Sequence, residues 1–234
     1  MLDNAEITHW RRILSRGCAA RSFQLLATPD YLSLMTTWVR RLLVANVVVF
    51  ALQYLWPWLT VLLAFTPRFA LLEPWTVLTH MFVHGSFTHI LFNMIGLFFF
   101  GSRVEERLGS RRFVILYFTA GATGAALSAI MAFNASIIGA SGGVFGVMLA
   151  FARYWPRERI YIWGVLPIEA WLLVVITTAL SLYSGFGGSR GGVADFAHLG
   201  GYLGAAVYLW ALERFSSARR FKDRVTSVPK AAQR

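Results

Sequence analysis

The sequence predicts an all-α membrane protein, a bundle of six transmembrane helices with both termini on the cytoplasmic side. Three observations lead there. Of the 234 residues, 57% are hydrophobic and only 14% are charged, with a mean hydropathy of +0.57, whereas a soluble domain carries about 25% charged residues. The apolar residues gather into six runs, each of a length that suits a bilayer crossing. With six crossings, all of the 22 lysines and arginines except Arg68 and Arg190 fall on the side of the termini, which is then the cytoplasmic side. An odd number of crossings would scatter them. The net charge of +11 therefore reads as topology, and the partner it implies is a lipid bilayer rather than a nucleic acid.

Residues 1–36 form a basic N-terminal segment. Arg11, Arg12, Arg16 and Arg21 suit a mitochondrial presequence, but Asp3 and Glu6 do not, and no apolar run is long enough for the core of a signal peptide. A bacterial plasma membrane is the expected setting. The single cysteine, Cys18, excludes a disulfide within the chain and any multi-cysteine metal site.

The membrane domain is expected over 37–212. Its first span follows Arg40 and Arg41 and reaches Trp56 once Thr36 to Val39 extend it. Pro57 ends it. Leu59 to Trp75 contains Pro67, Arg68, Glu73 and Pro74, and reads as a long loop sunk in the interface, with Trp56, Trp58 and Trp75 at the membrane–water boundary. The second span runs from Phe87 to Phe100 and on toward Val104. A charged loop from Arg103 to Arg112 precedes the third, Phe113 to Phe133. A short turn, Asn134 to Ile137, leads into the fourth, which ends near Tyr154. Ile160 to Leu166 reads as interfacial, and Pro167 with Glu169 as a helix start, so the fifth span covers Ile168 to Tyr183. A glycine-rich loop, Ser184 to Gly192, precedes the sixth, Val193 to Leu212. Residues 213–234 form a basic tail, which suits either solvent or anionic head groups.

The chemistry centres on Ile138 to Gly146, Ile-Gly-Ala-Ser-Gly-Gly-Val-Phe-Gly. Ser141 opens a helix there, where free N–H groups and the helix dipole favour a developing negative charge. Gly142 and Gly146 also form a G-x-x-x-G pair of the kind that packs membrane helices. Gly139 to Gly143 matches G-x-S-x-G, but that elbow needs a strand and a soluble sheet around it.

Spans two, four and six run in the same direction, and each carries polar residues near its outer end: His89 and Asn93, Ser141, and His198. Such side chains are costly in a membrane unless they face inward and meet partners. His89 and Asn93 are i and i+4 on one helix face. Phe145 lies one turn below Ser141. Small residues flank His198, so span six can approach Gly142 and Gly146. Together these groups suit acyl chemistry at a serine: Ser141 as nucleophile, His198 as the base that takes its proton, and the Ser141 N–H, the Asn93 amide and a His89 N–H as oxyanion donors.

At these residues the sequence resembles the rhomboid intramembrane serine proteases. The marks are His84, His89-Ile-Leu-Phe-Asn93, Glu105-Glu-Arg107, Gly139-Ala-Ser141-Gly142 and Ala197-His198-Leu-Gly-Gly201, within roughly Pro74 to Tyr208. The resemblance implies a six-helix bundle around a water-filled cavity opening outward, a Ser141–His198 dyad without an acid, and no metal or other cofactor. It implies single-span membrane proteins as substrates, cut in or near the membrane after a small residue. It also places His89 and Asn93 in the oxyanion hole, leaves His84, Gly139, Gly142, Phe145 and Gly201 in support, and makes Glu105 and Arg107 braces of the cytoplasmic end.

Two positions depart from the family pattern. Thr76 follows Trp75 where the family often has arginine, and Phe145 stands where a tyrosine often packs on the catalytic histidine. Asp195 lies three residues before His198 and is expected to be solvated at the span's outer end rather than to complete a triad. A zinc protease would show H-E-x-x-H, and an aspartyl one two intramembrane aspartates; neither pattern is present. The inner halves of the spans are almost wholly apolar, which disfavours a transport path. The remaining rival is a catalytically silent rhomboid-like protein that binds membrane proteins, a class that typically lacks the serine or the histidine retained here.

Overall fold

The computed structural model describes residues 35–162, 164–187 and 192–215. The chain divides between Met35 and Thr36, and the fold below is that of the unit beginning at Thr36. Most of the basic N-terminal segment, Cys18, Arg190 and most of the basic tail lie outside the described residues.

Eight α-helices occur among the described residues: α1 (Thr37–Leu55), α2 (Trp58–Leu63), α3 (Thr76–Thr79), α4 (Phe87–Leu108), α5 (Ser110–Met131), α6 (Ser141–Tyr154), α7 (Ala170–Phe186) and α8 (Gly192–Arg214). Three of them, α1, α4 and α5, are long and apolar enough to cross a membrane by length and composition, and α7 is apolar but only 17 residues long. The stretch from Leu59 to Trp75 contains no span. It holds α2 and a 3-10 turn, Pro67–Phe69, and it is tied down by polar bonds. The Trp75 indole N–H donates to the Leu62 carbonyl, and the Thr79 hydroxyl to that of Leu63. Thr76 is buried and its hydroxyl donates to the Glu73 carbonyl, so threonine braces this loop from within. Gln53 on α1 clasps the His84 backbone through both ends of its amide, accepting from the N–H and donating to the C=O.

The core forms around α6. Most of that helix is buried, with α4, α5, α7 and α8 against it, while α5 and α8 share the largest helix–helix contact. At about 1.5 Å per residue its 14 residues rise only about 21 Å, short of a ~30 Å hydrocarbon core. It begins inside the protein instead, from a loop whose Ile137 and Ala140 are themselves buried. Ile137 forms an isolated antiparallel bridge with Phe65, joining this loop to the one after α2. By contrast, α7 buries only Ala170 and Ser181.

Three expectations need correction. The charged stretch from Arg103 to Arg112 is not a loop. Helix α4 continues through it to Leu108, and α5 restarts after Gly109 alone, whose φ is +81°. The continuation brings the buried Glu105 to the N-terminus of α1, which it caps. Its carboxylate accepts from the Trp38 and Val39 N–H groups and from the Thr36 and Ser110 hydroxyls. Arg107 places its guanidinium 5.3 Å from the Tyr154 ring, and Arg103 pairs with Glu158 at 3.1 Å.

Pro167 does not start a helix. Arg159–Ile162 (β1) and Leu166–Glu169 (β2) form an antiparallel hairpin in which Pro167 faces Tyr161, and α7 begins at Ala170. A two-stranded sheet has only edge strands, which tolerate the missing N–H of proline. Lastly, α7 runs on to Phe186, so the glycine-rich connection is shorter than expected.

Candidate active site

Ser141 is the first residue of α6, and the loop before it is held by two histidines. The His80 carbonyl accepts the Gly139 N–H at 2.9 Å, and His84 Nε2 accepts the Ala140 N–H at 3.4 Å. Both histidines lie between spans, and burial pushes each imidazole down to about 4, helped at His84 by the neighbouring His89. Both are therefore neutral, the state in which His84 Nε2 can accept. Gly139 has a φ of +114°, and a Cβ there would meet His89 Nε2; glycine is required on both counts. The first ladder bond of α6 runs from the Val144 N–H to the Ala140 carbonyl. The N–H groups ahead of it, that of Ser141 included, have no carbonyl within the helix and face the end where negative charge is favoured.

His89 and Asn93 come from the start of α4, where the Ser86 hydroxyl accepts the His89 N–H and caps the helix. The Asn93 amide donates one N–H to the His89 carbonyl at 3.1 Å, which leaves its second N–H available. The His89 ring packs edge-on to that of His84, 4.9 Å between centroids.

Helix α8 reaches α6 through small residues. A Cβ on Gly201 would run into the Gly142 carbonyl oxygen, and one on Gly146 would crowd Ala120 and Ala205. This contact carries His198 to α6, where its ring stacks on Phe145 at 4.0 Å with planes 12° apart. His198 Nδ1 lies 3.5 Å from the Ser181 hydroxyl of α7 and 3.9 Å from Asp195 Oδ1. Nε2 is thus the nitrogen left for Ser141, whose hydroxyl has no hydrogen-bond partner among the described residues. A loose nucleophile–base pair is common before substrate binds.

Asp195 departs from expectation. Its side chain is only 17% exposed and sits close to the histidine, although 3.9 Å is beyond hydrogen-bond length. A cavity of about 390 Å³ opens beside these groups, walled by His80, His89, Ser136, Gly139, Ser141 and Ala197 among others. His198 and Asn93 are not on its wall. Sequence reasoning passed over His80 and Ser181. The first is one more polar residue in a mixed loop. The second left only a faint mark, a serine between two leucines on a mostly apolar helix that also carries Thr177, Thr178 and Ser184.

The family model for the rhomboid domain matches residues 71–215, more than half of the chain. The chain belongs to the rhomboid family. Its rhomboid relatives include rhomboid-like protease 3 of Toxoplasma gondii, 31% identical over 144 residues that cover 60% of this chain and 52% of the relative. They also include RHOMBOID-like protein 4 of Arabidopsis thaliana, 33% identical over 56% of this chain and 32% of the relative, and rhomboid protease GluP of Bacillus subtilis, 30% identical over 56% and 25%. The chain thus spans about half or less of the length of these curated relatives. Rhomboids are helical integral membrane proteins, and the family is one of intramembrane proteases. The apolar helices α1, α4 and α5 accord with that membrane setting.

Proposed function

We propose that this chain is an intramembrane serine endopeptidase that hydrolyses peptide bonds in or near the membrane-spanning segment of single-span proteins. Ser141 Oγ attacks the scissile carbonyl carbon while His198 Nε2 takes its proton. The carbonyl oxygen becomes an oxyanion and accepts from the Ser141 N–H, an N–H of His89 and the free N–H of Asn93. As the C–N bond breaks, His198 returns the proton to the leaving amine, and an acyl-serine remains. A water molecule then attacks the ester, again giving its proton to His198, and Ser141 regains it as the acid product leaves.

The observation that carries this reading is the Gly142–Gly201 contact, which carries the helix bearing His198 to the helix that starts at Ser141. Next to Ser141 the cavity is bordered by Gly139, Gly142 and Ala197, which leaves room for substrate backbone to approach the hydroxyl closely. On the same reading residues 37–212 are the protease domain and make six crossings. Both termini lie in the cytoplasm, and the site opens to the other side, as the distribution of arginines favours.

The test is cleavage of a single-span substrate with helix-breaking and small residues near its outer end, by detergent-purified protein beside Ser141→Ala and His198→Ala. Loss of cleavage in both variants, with unchanged melting temperatures, is expected. Cleavage by Ser141→Ala would overturn the proposal. Wild-type protein that neither cleaves nor reacts at Ser141 with a fluorophosphonate would instead be a silent binder.

A further inference from the structure

The His198 ring is held in its plane by Phe145, but stacking does not select which nitrogen faces Ser141. A flip of the imidazole by 180° about its last torsion turns the ring over but leaves it equally stacked, and exchanges Nδ1 with one carbon and Nε2 with another. Only an in-plane partner distinguishes the two orientations, and for a general base that choice also sets the tautomer. Ser181 on α7 is placed to make it. It is buried at 3% exposure, and its Oγ lies 3.5 Å from His198 Nδ1.

Thr177, Thr178 and Ser181 use their hydroxyls in two different ways. Thr177 and Thr178 donate back to their own helix, to the Leu173 and Val174 carbonyls respectively, the usual habit of such residues in membrane helices. Ser181 does not. Its one hydrogen-bond partner among the described residues is His198. One turn away, the Thr177 oxygen meets the Tyr202 hydroxyl at 2.6 Å; because Thr177 already donates to the backbone, Tyr202 is the donor. The pairs 181–198 and 177–202 are each four residues apart on both helices, so α7, otherwise sparsely packed, is pinned to α8 by two polar contacts in register.

We propose that Ser181 is a positioning residue for His198: its hydroxyl oxygen accepts the Nδ1–H and so presents an unprotonated Nε2 to Ser141. The proposal rests on the reading of Ser141 and His198 as the catalytic pair. Asp195, farther from Nδ1 and on the same helix as His198, is the competing partner.

The experiment uses the full chain in detergent with a fluorogenic single-span substrate, and reads kcat and KM, the rate at which a fluorophosphonate labels Ser141, and the melting temperature. The variants are Ser181→Ala, Ser181→Thr, Asp195→Asn and, as a control on the same helix, Thr178→Val. Losing one neutral hydrogen bond lowers kcat about 5- to 10-fold in Ser181→Ala. Labelling slows by the same factor, while KM and melting temperature stay near those of the wild type. Ser181→Thr, which keeps the oxygen, recovers most of both rates, and Thr178→Val matches wild type.

The proposal is overturned if Ser181→Ala cleaves and labels like wild type, or if alanine and threonine impair equally, which would mean packing alone. It is also overturned if the loss of kcat appears in Asp195→Asn and not in Ser181→Ala. Failure of the catalytic reading itself looks different: either Ser141→Ala or His198→Ala still cleaves, or the wild-type protein neither cleaves nor labels at Ser141.

Discussion

Gly201 lies against the Gly142 carbonyl so closely that a single added methyl would collide with backbone rather than with a yielding side chain. Gly142 follows the proposed nucleophile directly, and Gly201 lies three residues beyond the proposed base. The approach of α6 and α8 therefore sets the separation of the two catalytic groups. Replacing Gly201 with alanine is expected to push the helices apart, at an overpacking cost of about 1–3 kcal/mol. A shift of this kind harms the reaction more than the fold. A melting curve beside a cleavage assay should show a modest drop in stability and at least a ~10-fold loss of cleavage, since about 1 Å of misplacement can cost two orders of magnitude.

Gly139 and Gly164 make a controlled pair. Both have positive φ, +114° and +71°, but a Cβ on Gly139 meets the His89 ring whereas one on Gly164, at the hairpin tip, meets nothing. Alanine strains the backbone at both, by about 1–2 kcal/mol at Gly164 and by about 1–3 kcal/mol at Gly139, whose φ lies beyond the left-handed helical region. Only Gly139→Ala should also depress cleavage strongly, because it displaces His89 from the proposed oxyanion site. Equal activity in the two variants would remove His89 from that site.

Phe145 contributes a stacked ring and no hydroxyl. Phe145→Tyr should therefore retain near wild-type cleavage. Phe145→Leu keeps bulk but loses the stack on His198, a contact worth about 0.5–1.5 kcal/mol, and should lower kcat by about 2- to 10-fold with little change in KM. A rise in KM alone would point to a substrate contact instead.

Glu105 caps α1 from within the bundle. Glu105→Ala leaves two N–H groups of α1 and two hydroxyls without their acceptor, at a cost of about 1–3 kcal/mol for a buried donor left unmet. Glu105→Gln keeps one acceptor oxygen and should fall between. The measurements are the melting temperature and the rate of proteolytic clipping near Thr36. The alanine variant should be the least stable and the first clipped, while residual cleavage per folded molecule stays unchanged.

The residues of the candidate site stood out in the chain, because each is chemically conspicuous where it stands. A serine among glycines, a histidine–asparagine pair one turn apart and a histidine flanked by small residues all interrupt apolar runs that would otherwise hold only hydrocarbon. The same contrast between apolar and charged residues located α1, α4, α5 and α8. It failed where local signals had two meanings. Arg103 to Arg112 looks like a loop because charges avoid the membrane, yet charges at the end of a helix serve as well, and Glu105 finds its partners 66 to 69 residues earlier in the chain. Pro167 suits a helix start and an edge strand equally, and the pairing of β2 with β1 selected the strand.

Family membership, the membrane setting and the identity of the polar groups were thus written in composition and motif, since burial in an apolar medium makes every polar residue exceptional. Which nitrogen of His198 meets a partner, how near Asp195 comes, why α6 can start inside the protein and why Ser181 stands beside His198 were set by packing. Those features depend on the separation and rotation of helices whose contacts are made by residues far apart in the chain, and helical periodicity along one segment carries no information about the rotation of its neighbour.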